Sequence, residues 1–351
     1  MRRSVPEHII EFVISSLSDN LGAHWEYSLS KYREKTLSAL KAYEMLKNTF
    51  FGKVLLYQST ATEYENLRPW YFVNCVFNAF LAVTAVILNG ITILALRNTS
   101  SLPKPLKTLL LSLAVSDLGV GLLGEPFYSG LLAKWLQRDD STVAASTAFL
   151  FSLYLFSAAS FSGVMGLSGD RFLALHLHLR YQEFVTYKRV VAVVISIWVF
   201  SALFSLFCLR VSTDISQAVV PIIGVVCLIF SAVLYCKIYL VVRRHRNQIQ
   251  ALQVHQTGQN DEMANTARLR KSAMGAFYVY FVFLLCNFPQ FCVFAVVEIS
   301  GLNTGVKVFF IFSTTLLFLN SSLNPVIYYW KIRQIRRAVL EVLKNIFPSH
   351  D

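Results

Sequence analysis

The chain has 351 residues, 55% of them hydrophobic and only 15% charged, with a net charge of +12 and a mean hydropathy of +0.51. That balance excludes an ordinary soluble domain and indicates a membrane protein. The excess of positive charge points to the anionic lipid surface of a bilayer and to a cytoplasmic protein partner, and no basic and aromatic motif for nucleic acid is present.

Residues 1–70 read as an N-terminal tail, partly helical or disordered, of nearly balanced charge. Arg2 and Arg3 open the chain, but no continuous apolar core of a signal peptide follows. From Lys31 to Leu56, apolar residues at helical spacing, Leu37, Leu40 and Leu46 among them, predict an amphipathic helix. Two readings stay open for this tail: a solvated or interfacial segment, or one that captures a ligand or partner.

Uncharged or nearly uncharged runs then occur at 71–96, 108–132, 141–169, 190–209, 215–236, 272–297 and 308–330. Each has spanning length, which predicts an all-α membrane protein with a seven-transmembrane-helix bundle over 71–330. Lys and Arg crowd one set of connections and the C-terminal segment, whereas the opposite loops offer Lys134, Arg138, Arg210 and Lys307. By the positive-inside bias the N-terminus is extracellular and the C-terminus cytoplasmic. The connection near Arg243 to Arg270 is flexible in composition. Residues 331–351 alternate apolar and basic positions, as an amphipathic helix lying on the inner leaflet does, before a short tail.

Polar residues inside the spans mark the chemistry. Span one holds Asn89 and span two holds Asp117, at the end of S-L-A-V-S-D, with Glu125 further along ahead of Pro126. Ser160 lies in span three, whose far end reads G-D-R with Asp170 and Arg171. Span seven carries N-S-S-L-N-P, so Asn320, Asn324 and Tyr328 form one stripe beside Ser321, and Pro325 removes a backbone donor. A carboxylate inside a membrane demands a cation, a proton or a donor network. The readings are a structural hydrogen-bond network or a hydrated core that holds a cation. Six cysteines lie within or at the ends of the spans and give no disulfide framework. His176 and His178 sit two apart without zinc spacing.

Taken together, Asn89, L-A-V-S-D ending at Asp117, D-R-F at 170–172, Trp198, Tyr235, C-N-F-P at 286–289 and N-P-V-I-Y at 324–328 resemble the rhodopsin-like G protein-coupled receptors. In pattern they lie nearest the melanocortin, adenosine, cannabinoid and lysophospholipid receptors. The resemblance covers about 71–346 and implies a plasma-membrane receptor that turns binding of an extracellular ligand into activation of a heterotrimeric G protein, with arrestin as a further partner. It implies no catalytic residue and no enzyme activity. It assigns Asp170, Arg171, Tyr235, Pro289, Asn324, Pro325 and Tyr328 to coupling and activation, with span six swinging about Pro289. An allosteric sodium ion is implied at Asp117, Ser160, Asn320, Ser321 and Asn324, braced by Asn89; no other cofactor is expected.

The sequence departs from that family's pattern at Ser146, Cys227 and Asn287, where a disulfide cysteine, a span-five proline and a span-six tryptophan are usual. The retinal lysine is replaced by Phe318 and the amine-binding aspartate by Leu153, which speaks against retinal and monoamine ligands. By the same resemblance the ligand pocket comprises Glu125, Tyr128, Leu153, Tyr154, Ser157, Asn287, Phe294, Glu298 and Thr314, open to a peptide, a nucleoside-like molecule or a lipid. Glu125 in particular asks for a cation or a basic ligand group. At the inner end of span six, Leu269 stands among Arg268, Arg270 and Lys271 where relatives carry an acid, which predicts signalling without ligand. The alternative from another class is an ion-conducting or transporting protein that uses Asp117 and Asn324. Internal repeats and a second pair of broken helices, which would favour it, are not evident.

Overall fold

In the computed structural model the described residues are 23–47, 50–57, 59–139, 143–177, 180–210, 222–226, 228–233, 235–237, 239–240, 243 and 260–346. For 23–30 and 260–276 the description is of the backbone. Among the described residues six helices are long and apolar enough to cross a bilayer: Ala61–Asn98, Lys104–Leu136, Val143–Ala174, Tyr187–Arg210, Phe277–Val297 and Thr304–Lys331. A shorter apolar helix, Ile222–Lys237, falls where span five is expected. The protein is all-α, and the spans are numbered one to seven in chain order.

Local chemistry sets the ends of these helices. Span one begins at Ala61, ten residues before its apolar run, because Thr60 and Glu63 form a reciprocal capping box. The boundary expected at 70 therefore falls inside a helix. Span six ends at Ser300, where Gly301 takes φ +64 and its N–H reaches the Val297 carbonyl at 3.0 Å. Only glycine adopts that left-handed cap without strain. Asn303 then opens span seven by accepting from the Val306 N–H at 3.0 Å.

Span two is not a regular helix. Lys104–Gly119 runs into a π-helical turn, Val120–Gly124, and resumes as Glu125–Leu136. Pro126 lacks an N–H and its ring crowds the carbonyl of Leu122, which the wider turn relieves. The extra residue rotates everything after it by about 100° relative to a plain α-helix.

The apolar interior is divided. One cluster gathers Leu110, Val164, Tyr235, Val279, Tyr280 and Tyr328 at the end of the bundle that carries Arg171. The other gathers Tyr71, Tyr128, Phe149, Tyr154, Phe294 and Phe310 at the opposite end. Buried polar residues, Asn89, Asp117, Ser160, Asn320 and Asn324, lie between them as a belt. The first cluster extends to the C-terminal helix Arg333–Ile346 through Ile335, Ala338, Val339 and Val342. The amphipathic pattern holds, but the apolar face packs on the bundle, with spans one and seven, rather than being left for a leaflet alone.

The tail is the main departure. It forms two helices, Ala23–Lys47 and Phe50–Leu55, and Leu46, Phe51, Val54 and Leu55 are buried in the second cluster. These four side chains are therefore part of the bundle's core and not a solvated strand of chain, because they bury apolar surface against the second cluster.

Candidate functional site

At the tail end of the bundle, spans three to six enclose a cavity of about 300 Å³. Leu153, Tyr154 and Ser157 line it from span three, and Asn287, Gln290 and Phe294 from span six. Glu125, Tyr128 and Thr314 do not line it. Tyr128 is stacked on Phe149 with ring centroids 5.2 Å apart and donates to the Ile311 carbonyl at 3.1 Å. Thr314 turns back to the Phe310 carbonyl at 2.8 Å. Glu125 is fully buried away from the cavity; the π-turn just before it shifts its register, and neither carboxylate oxygen has a partner among the described residues. The expectation of a ligand-facing carboxylate is thus not met. The Glu298 side chain lies outside the described residues.

Phe51 closes the cavity from the tail. Its ring centroid is 5.7 Å from that of Tyr154, 5.3 Å from Phe294 and 5.7 Å from Phe310. Lys307, counted in the sequence as a loop charge, is buried and donates to the Tyr57 carbonyl at 3.2 Å. Its ammonium also lies 4.3 Å from the Trp135 ring centre, a cation–π contact that offsets part of its desolvation. The Tyr57 hydroxyl donates to Glu63 at 2.9 Å. Burial first, then Glu63, pushes the Tyr57 phenol above its ordinary pKa and keeps the donor protonated.

In the polar belt, Asn324 Nδ2 donates to Asp117 Oδ2 at 2.8 Å, and Asn89 Nδ2 donates to the Ser321 carbonyl at 2.9 Å. Asp117 Oδ1, Ser160 Oγ, Asn320 Oδ1 and Asn324 Oδ1 are buried with no partner among the described residues. Four such oxygens, one of them the carboxylate's own, fit a hard monovalent cation or ordered water, since buried oxygens without donors are costly. Pro325 and Tyr328 follow one turn on; the Tyr328 hydroxyl is buried and also lacks a partner there.

At the far end of span three, Arg171 and Asp170 are each 5% exposed. Arg171 Nε donates to Asp170 Oδ2 at 2.9 Å, and the guanidinium makes a second contact with the same oxygen. Tyr181, in a short helix beyond span three, donates to Asp170 Oδ1 at 2.5 Å. Burial, followed by the Asp170 charge, pushes the Tyr181 phenol well above its ordinary pKa. Tyr235 bonds to Ser168 one turn before Arg171 and stacks on Tyr280 with centroids 4.1 Å apart. Pro289 sits inside the continuous helix of span six.

The family model for the 7 transmembrane receptor (rhodopsin family) matches residues 88–221 and 214–328. The chain belongs to that family. Among curated relatives, it is 23% identical to cannabinoid receptor 1 of Xenopus laevis, over 86% of this chain and 71% of that one. It is 26% identical to melanocortin receptor 5 of Pan troglodytes, over 75% and 82%. Against G-protein coupled receptor 12 of Homo sapiens the identity is 24%, over 81% and 84%.

In this receptor the structure brings together the residues expected in the polar belt and those expected at the arginine end. It adds Gln290, Phe51, Lys307 and Tyr181, which sequence reasoning missed. Gln290 directly follows Pro289 and could have been flagged by that adjacency. Nothing local distinguishes Phe51 from its neighbours. At the position of the usual disulfide cysteine, Ser146 is buried, its hydroxyl without a partner among the described residues. Cys75, Cys208, Cys236, Cys286 and Cys292 are free thiols. Cys227, His178 and the side chains of 268–271 lie outside the described residues.

Proposed function

We propose that this receptor sits in the plasma membrane with its tail end extracellular and converts binding of a ligand into activation of a heterotrimeric G protein, with arrestin as a further partner. One observation supports this most directly. Span three carries the cavity residues Leu153, Tyr154 and Ser157 at one end and the Asp170–Arg171 pair at the other. A displacement of this one helix, or of span six about Pro289 against it, changes both ends together. Ligand and G protein then favour the same open state, and each raises the affinity of the other.

Asp170 and Tyr181 hold the guanidinium back in the closed state, and releasing it presents a planar cationic group to the G protein. Asp117, Ser160, Asn320 and Asn324 would hold a sodium ion, with Asn89 bracing span seven. Bound there, the ion supplies positive charge to the Asp117 carboxylate. Signalling without ligand remains our reading of Leu269 and its basic neighbours. The family match argues against an ion path through Asp117 and Asn324.

The test is nucleotide exchange on the G protein in membranes matched for receptor number, comparing the unaltered chain with Arg171→Ala. We expect the variant to fall to the level of receptor-free membranes while surface expression is kept. Unchanged exchange would refute the reading.

A further inference from the structure

Three features of the cavity bear on what it takes, and together they are narrower than its position in the fold requires. First, no charged side chain lines it among the described residues; its polar groups are those of Tyr154, Ser157, Ser162, Asn287 and Gln290. A charged ligand group would enter there without a counter-charge and lose its hydration uncompensated. The carboxylate that might have met one, Glu125, is buried elsewhere.

Second, one of those side chains carries a buried polar group left unsatisfied among the described residues. Asn287 spends its Nδ2 on the Phe283 carbonyl at 2.7 Å. Gln290 is 6% exposed and its Oε1 accepts from Ser313 at 2.7 Å, but its Nε2 has no partner among the described residues. Turning the amide over leaves the oxygen over instead of the nitrogen. Either way one neutral hydrogen-bonding group is left unsatisfied on a residue that lines the apolar chamber, and a hydroxyl or carbonyl that reaches it satisfies it.

Third, the tail covers the chamber at one end, and exposed residues of spans four and five line it on another side. Phe51 covers the first side. On the second, Phe200 and Ile223 line the cavity and are themselves 54% and 41% exposed.

We infer that the cavity is a site for an uncharged, single-chain amphipath drawn from the bilayer, its neutral head bonded to the Gln290 amide and its chain against the aromatic wall under Phe51. This rests on the receptor reading above and names the ligand class for the same site. Phe51 is then a wall of the site supplied by the tail, and Gln290 is its polarity-determining residue.

The experiment uses the full chain in phosphatidylcholine nanodiscs that carry a monoacylglycerol with a diazirine in its acyl chain or, at equal mole fraction, the matching lysophosphatidate. After irradiation, labelled peptides are located by mass spectrometry. The neutral probe should label 153–165 and 287–294 saturably, about fivefold more than the anionic one. Gln290→Leu should lower that labelling by about fivefold, the effect of one net hydrogen bond. Phe51→Ala should not speed the labelling, because the tail is not the way in. Equal labelling by both probes, label confined to outward positions, or indifference to Gln290→Leu overturns the ligand class. Several-fold faster labelling in Phe51→Ala overturns the route from the bilayer. If Gln290→Leu does not fold, the two probes on the unaltered chain still decide the class. No G protein takes part, so failure here leaves the Arg171→Ala result standing, and the converse also holds.

Discussion

At the scale of single residues, Asp117 is the most exacting group in the molecule, a carboxylate with one oxygen bonded to Asn324 and the other unpartnered. Asp117→Asn keeps the shape and removes the charge that would attract a cation. Agonist affinity measured with and without sodium should lose its sodium dependence in the variant; affinity of the unaltered chain that ignores sodium would show the belt holds water only. Tyr181 offers a second test. Tyr181→Phe frees one oxygen of Asp170 and loosens its hold on Arg171, so basal nucleotide exchange should rise by about two- to tenfold, the range for one charge-assisted bond. An unchanged basal rate would make Tyr181 a packing residue alone. Because the folded pKa of this phenol is raised, its stabilising bond is complete below the ordinary tyrosine value and fades only as pH rises through the higher folded value. The lock should therefore be insensitive to pH across the neutral range, which a pH profile of basal exchange checks.

At the scale of elements, the order and ends of the spans follow from short-range chemistry, and where they do they were legible. Apolar runs located all seven helices, span five as the shorter Ile222–Lys237, and the joint order of Asp117, Arg171, Pro289 and Asn324 marked the family. Thr60-Ala-Thr-Glu63 is a readable cap that the search for apolar length passed over, since hydropathy counts side chains and not orphan N–H groups. Thr60→Ala should cost about 1 kcal/mol, seen as a lower thermal midpoint of the purified receptor with the fold retained. The π-turn in span two was harder to see. Gly119, Gly121, Gly124 and Pro126 signal an irregular helix, but whether the helix kinks or gains a residue depends on what span one and span three leave room for. Glu125 was misplaced for that reason. Phe51 was out of reach altogether: its partners Tyr154, Phe294 and Phe310 lie about a hundred residues or more along the chain, and a six-residue helix carries no periodicity of its own.

For the whole molecule, the two apolar clusters and the polar belt between them describe a bundle with a soft middle and two packed ends. The tail contributes Leu46, Phe51, Val54 and Leu55 to one of those ends. Removing residues 1–57 should destabilise the receptor by roughly 5 kcal/mol or more, at about 1.5–3 kcal/mol for each fully buried side chain. The midpoint of thermal unfolding in nanodiscs checks this, and a midpoint unchanged by the truncation would mean the tail only rests on the bundle. The same tail sets how the site meets time. Tied through Thr60 to span one, Phe51 returns over the cavity at an effective concentration fixed by a few residues of chain, which dilution of the surroundings does not lower. With an occupant drawn from the bilayer, as inferred above, rinsing the medium would not empty the chamber, and the occupant would turn over only as the store in the membrane does. On the ligand class inferred above, such a receptor would not follow the rise and fall of a messenger outside the cell; it would integrate the slower history of the sheet of lipid in which it stands.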